Sequence, residues 1–350
     1  MIRTTPPGPR RSGFTLIELL VVVSIIAVLA ALGAGAYFRV RVSQQEKATE
    51  TTLGKLQSEL DLQWRSIIDN CKEDYVNGSI SSAAISLAGE TSANRRSLVI
   101  WTKMKMKAEF PQNFYEAVVW PTTVQGIQVK SSFYRPLAAA GVKALDPNNP
   151  TNAAVMTPTR QLQESAVLFY IALTQGRRGN VKFNPNEHLG PHAVGQIALA
   201  PDPNNPGVTA NFNVFMDSWG NPIYFIRWPL GMATTTDLNL PPYQQLNASN
   251  QPCDPGDPER TFYDADWAGS TLPNALTSVM GYATQSPPLV PPLLTNPNPP
   301  LNLTAVIFSA GRDGIPGIDA FYGIDPSAPA GSENDNVYAY RVKGPGRGNN

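Results

Sequence analysis

Histidine and cysteine are nearly missing from this chain, with two of each in 350 residues. His188 and His192 stand four apart, but Gly190 and Pro191 lie between them and no H-E-x-x-H pattern occurs, so a paired zinc-ligand face is not expected. Cys71 and Cys253 have no second cysteine or histidine beside them, which argues against a metal motif. P-loop and G-x-G-x-x-G strings are absent, and so few histidines leave no nucleophile system to assemble. An enzyme is not expected. Charge is also scarce, at 15% of residues, and balanced at 27 basic against 27 acidic. That balance advertises no nucleic-acid partner. Proline is abundant at 33 residues, yet none occurs between Gly13 and Asn70.

That proline-free stretch carries the main signal. Residues 14–38 form an apolar run with a single charge, Glu18, preceded by Arg10, Arg11, Ser12 and Gly13. A membrane helix needs about 20 apolar residues, so this run is long enough to span. A secretory signal would have a shorter apolar core followed by its small-residue cleavage site. Here the small residue comes first, so cutting after Gly13 would leave the whole run on the mature protein. The basic residues ahead of the run should stay cytoplasmic, which puts the chain beyond residue 38 outside the inner membrane. Removing Arg3, Arg10 and Arg11 with residues 1–13 leaves 24 basic against 27 acidic residues.

The string G-F-T-L-I-E-L-L-V-V, beginning at Gly13, resembles the class III signal of type IV pilins and type II secretion pseudopilins. The resemblance implies cleavage between Gly13 and Phe14 by a prepilin peptidase and N-methylation of Phe14. It also implies that Glu18 neutralises the α-amino group of a neighbouring subunit and so sets axial register during assembly. An acid at bilayer depth is costly and usually has a partner. The other reading is an acid near enough to the interface to reach headgroups.

Beyond the apolar run, Leu53, Leu56, Leu60, Trp64 and Ile67 recur at helical spacing, with charged residues between them. One helix over residues 14–69 is expected, about 85 Å long at 1.5 Å per residue. Gly33 and Gly35 interrupt it, either for close packing of neighbouring helices or as a soft spot. The fold class expected is α+β, a pilin-like lollipop. It divides into a leader (1–13), a membrane-spanning helix (14–38), its amphipathic continuation (39–69) and a head (70–350) of antiparallel sheet with long irregular insertions. Within the head, helices are expected near residues 97–108 and 161–174, and strands near 115–120, 223–228, 304–309 and 337–342. A Cys71–Cys253 disulfide and two free thiols both stay open, since export permits the bridge.

Two head segments extend the resemblance. Asp217, Trp219, Gly220, Asn221, Pro222 and Tyr224 match a D-x-W-G-N-P-Y turn of the G-type major pseudopilin. Ser309, Gly311, Asp313 and Gly314, with Asp335 and Asn336, match a stretch that encloses calcium in that family, with Asp319, Asp325 and Glu333 as further oxygen donors. The loop is longer than usual and Asn336 replaces an acid; the alternative is an ordinary solvated loop. The resemblance implies a filament subunit of a type II secretion system. Its partners would be other pseudopilins, the prepilin peptidase, an inner-membrane assembly platform and membrane lipid. A type IV pilin, and a membrane-anchored protein that never polymerises, are the rival readings. The large head raises the odds of a minor or tip subunit, and residues 70–214 match nothing recognisable.

Overall fold

The computed structural model describes residues 15–118, 133–146, 149–152, 154–175, 183–229, 256–257, 261, 305–319, 325 and 327–339. The chain divides into two units, Met1–Lys47 and Ala48–Asn350.

In the first unit the described residues after Thr15 belong to helix α1, which spans Leu16–Val76. Its start is a capping box written into the sequence T-L-I-E. The Thr15 amide donates to Glu18 Oε2 at 2.8 Å, and the Glu18 amide donates to Thr15 Oγ1 at 3.3 Å. Glu18 also places negative charge in the first turn, where the helix dipole favours it. The polar Ser24 is absorbed by donating its hydroxyl to Leu20 O. Large apolar side chains from Leu16 to Val40 are exposed on every face, and the helix is long and apolar enough to cross a membrane.

In the second unit, α1 buries Thr49, Leu53, Leu56, Leu60, Trp64, Ile68 and Cys71. The expected stripe is correct except at its end, where Ile68 replaces Ile67. Four steps of four or three residues track the 3.6-residue turn, and from Trp64 the next inward position is four residues on. The helix also continues past residue 69 to Val76, because neither glycine nor proline occurs between residue 69 and Gly78, whose φ is +66°.

Six further helices follow among the described residues: α2 (Ser82–Leu87), α3 (Arg95–Glu109), α4 (Phe114–Val118), α5 (Tyr134–Ala139), α6 (Pro158–Thr174) and α7 (Pro185–His188). Helix α3 opens with a capping box between Asn94 and Ser97, and α6 with Thr157 as cap and Pro158 in the first turn. The strand expected near residues 115–120 is instead α4, with residues 119 and 120 outside the described set. The Asn113 side chain accepts from the Glu116 amide at 2.9 Å, and Glu116 reaches back to the Gln112 amide at 2.9 Å. Local capping thus overrides the aromatic and β-branched composition.

Strands β1 (Val194–Leu199) and β2 (Ala210–Phe215) form an antiparallel pair, with Val194 opposite Phe215. A second antiparallel sheet has the order β3-β4-β5, from Ile223–Ile226, Val306–Ser309 and Val337–Tyr338. Every residue of β3 and β4 is buried. Helix α6 lies against β2 and β3, where the Phe169 ring stacks on Phe225 at 5.1 Å with an interplanar angle of 2°. Trp64 of α1 reaches the same core through Phe110, with ring centroids 5.6 Å apart. The architecture is α+β as expected: a long N-terminal helix and a head with small antiparallel sheets.

Two ion clusters stiffen this core. Glu164 of α6 binds Arg160 at 2.8 Å and accepts from the Phe114 amide at 2.9 Å. Glu116 of α4 takes both guanidinium nitrogens of Arg227, at 2.7 and 3.0 Å, with Lys107 at 3.4 Å. The second cluster ties α3 and α4 to the residue just past β3.

Candidate functional site

Gly13 and Phe14, the residues expected at the processing point, lie outside the described residues. Glu18 is described and exposed on the first turn of α1. Its Oε2 takes both the amide and the hydroxyl of Thr15, each at 2.8 Å. The side chain that the resemblance assigns to assembly therefore closes its own helix end as well. Thr15 is a residue that the motif alone does not bring forward, although T-x-x-E just ahead of an apolar run is itself a capping signature.

The second region joins three segments that the sequence places far apart. Asp217 Oδ1 accepts from the amides of Trp219 at 2.9 Å and Asn221 at 2.8 Å, forming the turn between β2 and β3. Asp217 Oδ2 accepts the Ser309 hydroxyl at 2.5 Å, from the end of β4. Asn221 Nδ2 donates to Gly311 O at 2.8 Å. Asp335 Oδ2 accepts from the amides of Arg312 at 3.0 Å and Asp313 at 3.2 Å. The backbones touch here: a Cβ on Gly311, where φ is +69°, would lie 2.2 Å from Asp335 O. Only glycine fits that approach. Burial pushes the carboxyl of Asp217 up, against the pull of its hydrogen bonds to Ser309 and to main-chain amides.

The expected calcium donors occupy this loop but serve several ends. Asp313 Oδ1 accepts from the Ile315 amide at 2.8 Å, and Asp325 Oδ1 accepts from the Ser327 amide at 2.8 Å. Ser309 is committed to Asp217. Asp319 and Glu333 are partly buried. Asn336 donates through Nδ2 to Pro316 O at 2.7 Å, which leaves its Oδ1 buried and unpartnered. Ser332 Oγ is also buried and unpartnered. Among the described residues, no group of three histidine, cysteine, aspartate or glutamate side chains could hold a metal. Neutral oxygens would have to complete the donor set, and Asn336 Oδ1 and Ser332 Oγ have the chemistry to do so.

Helix α7 ends at His188, so His188 and His192 do not share a helical face, and the His188 ring stacks on Phe183 at 5.2 Å. Cys71 is buried with a free thiol pushed up to about 12 by burial, far from thiolate chemistry. Cys253 lies outside the described residues.

Residues 8–34 match a family model, the prokaryotic N-terminal methylation motif. Neither the curated proteins nor the solved structures contain a match to the chain. The motif covers Gly13, Phe14 and Glu18 and runs into the exposed apolar half of α1. The chain carries a prepilin-type N-terminus on a helix fit to anchor in a membrane.

Proposed function

We propose that this chain is a structural subunit of a pilus-like filament, and specifically a pseudopilin of a type II secretion system. Carrying most weight is the methylation motif at residues 8–34, continuous with a helix whose apolar side chains from Leu16 to Val40 stay exposed. Apolar surface left in water costs about 25 cal/mol per Å², so this face needs lipid or other helices around it. Both demands are met in turn by a subunit that waits in the inner membrane and then joins a filament. A prepilin peptidase would process it, an inner-membrane assembly platform would extract it, and like or related subunits would surround it. The head would lie on the periplasmic side. The D-x-W-G-N-P turn at Asp217, with Tyr224 two residues on, favours the type II branch over a type IV pilin. No catalytic role is proposed.

The deciding experiment uses Glu18→Val. Membrane insertion should persist or improve, because a charge leaves the span. Recovery of sheared filaments should fall roughly tenfold or more, since the partner amine would enter an apolar core unpaired. Thr15→Val is the control, because it removes the cap and keeps the carboxylate. Normal filament yield from Glu18→Val would return Glu18 to an interfacial or capping role. A deletion strain that secretes normally but loses twitching or transformation would point to a type IV pilin.

Calcium is part of the same proposal. Asp313, Asp335 and Asn336 would hold the ion, with Ser332 and Asp325 nearby in the loop, and it would neutralise carboxylates and fix the turn. An ion that binds only the folded chain raises stability by about 2.7 kcal/mol at one hundred times its Kd. Melting of the full-length chain in detergent should therefore rise in millimolar calcium relative to chelator. Magnesium, which demands a tighter octahedral shell, should help less. Asp313→Ala and Asp335→Ala should each abolish the response. Superimposable melting curves in calcium and chelator would leave an ordinary hydrogen-bonded loop.

A further inference from the structure

We infer that Asp217 is a positioning residue that couples the order of the loop at residues 309–313 to the seating of α1 at Thr49. This goes beyond the filament proposal and requires neither calcium nor assembly. Asp217 is 5% exposed, and among the described residues no cationic side chain pairs with it. A buried carboxylate in that setting is tolerated through the hydrogen bonds it accepts. Those bonds come from two chain segments at once: the amides of Trp219 and Asn221, and the hydroxyl of Ser309.

The Ser309 bond has a fixed direction. A hydroxyl has one proton, and a carboxylate can only accept, so Ser309 must donate to Asp217. Its lone pairs then face outward, and Ser309 Oγ accepts from the Gly311 amide at 3.0 Å. The carbonyl of Gly311 is held from the same turn by Asn221 Nδ2 at 2.8 Å. Both main-chain polar groups of Gly311 therefore depend on the turn that Asp217 organises. On the far side of that turn, the Ser218 amide donates to Thr49 Oγ1 at 3.1 Å. Thr49 is fully buried and sits on α1, four residues before Leu53.

The result is a relay of hydrogen bonds from Thr49 through residues 217–221 to Gly311, and by backbone contact to Asp335. Disturbing either end removes an acceptor that a main-chain amide at or beside the shared turn uses. Coupling of this kind is reciprocal: a change that loosens the loop must loosen the Thr49 contact, and the reverse.

Amide hydrogen exchange on the full-length chain in detergent micelles, with chelator present, tests this without reference to metal. Thr49→Val removes one acceptor while keeping the shape, and Ser309→Ala removes the hydroxyl. Thr49→Val should speed exchange at Ser218 and also at Gly311, by roughly tenfold or more at the first. Ser309→Ala should speed Gly311 and carry over to Ser218. Asp217→Asn should speed both. The amides pairing β3 with β4 should keep their protection, which a general loss of stability would not allow. The inference is overturned if Thr49→Val acts on Ser218 alone, or if every amide of the head changes by one common factor. Should Asp217→Asn fail to fold, the two milder variants decide it.

Discussion

Glu116→Ala should destabilise the head by about 3–5 kcal/mol, the usual cost of breaking a buried ion pair from one side. The Arg227 side chain is 2% exposed and that of Lys107 is 4%, so removing Glu116 takes away the carboxylate that both buried cations share. Burial alone would push the Glu116 carboxyl up, but Arg227 and Lys107 outweigh it and hold it down at about 2. A depressed acid contributes stability that is present above its unfolded value of 4.5 and lost as pH falls toward about 2. The parent chain should therefore lose stability through that acid window. Burial pushes Lys107 down, a base that the fold would rather hold uncharged. Without Glu116 that tendency grows, so the alanine variant should regain stability as pH rises toward 10.5, the ordinary value for lysine. Denaturant titration of both chains across pH checks the two slopes. Parallel pH profiles would mean that Glu116 is not the partner that keeps Lys107 charged.

How much of this was legible in the sequence depends on how local each cause is. Helix α1 could be read almost entirely, because its apolar run, its freedom from proline and its leucine ladder are all short-range properties. Helix α6 and strands β3 and β4 were readable for the same reason, with ends shifted by two or three residues. The α4 region misled because aromatic and β-branched residues suggested a strand, whereas Asn113 and Glu116 cap a helical turn. Strands β1 and β2 gave too little alternation to stand out: the burial of β1 is graded rather than two-faced. The polar connections of the head were invisible. Thr49 and Ser218 are 169 residues apart, Glu116 and Arg227 are 111 apart, and Asp217 and Ser309 are 92 apart. No periodicity joins such pairs. The turn at Asp217 could be recognised from its own residues, but its grip on Ser309 needed the fold. The processing signal is the opposite case, since nothing about it requires tertiary structure.

Gly13→Val should leave the chain unprocessed. A peptidase must bring its own groups against the backbone at the scissile bond, and glycine offers no Cβ to obstruct them. Valine branches at Cβ and holds a stiff χ1, so it cannot swing its methyl groups aside. The intact mass of membrane-extracted protein should then include the whole leader from Met1 onward, with no methyl group, where the parent should begin at monomethylated Phe14. Insertion should be unaffected, because the apolar run is intact and Arg10 and Arg11, which by the positive-inside rule should keep the N-terminus cytoplasmic, are unchanged. Filaments should be lost, since the amine that Glu18 would neutralise is never made. Gly13→Ala, with a single small Cβ, should be processed in part. The comparison with Glu18→Val is the informative step: both variants should reach the membrane and both should fail to assemble. Only the Glu18 variant should show the mature mass. If the parent chain keeps residues 1–13 in a host with an active prepilin peptidase, the processing step is wrong, and a free Phe14 amine cannot be the group that Glu18 meets.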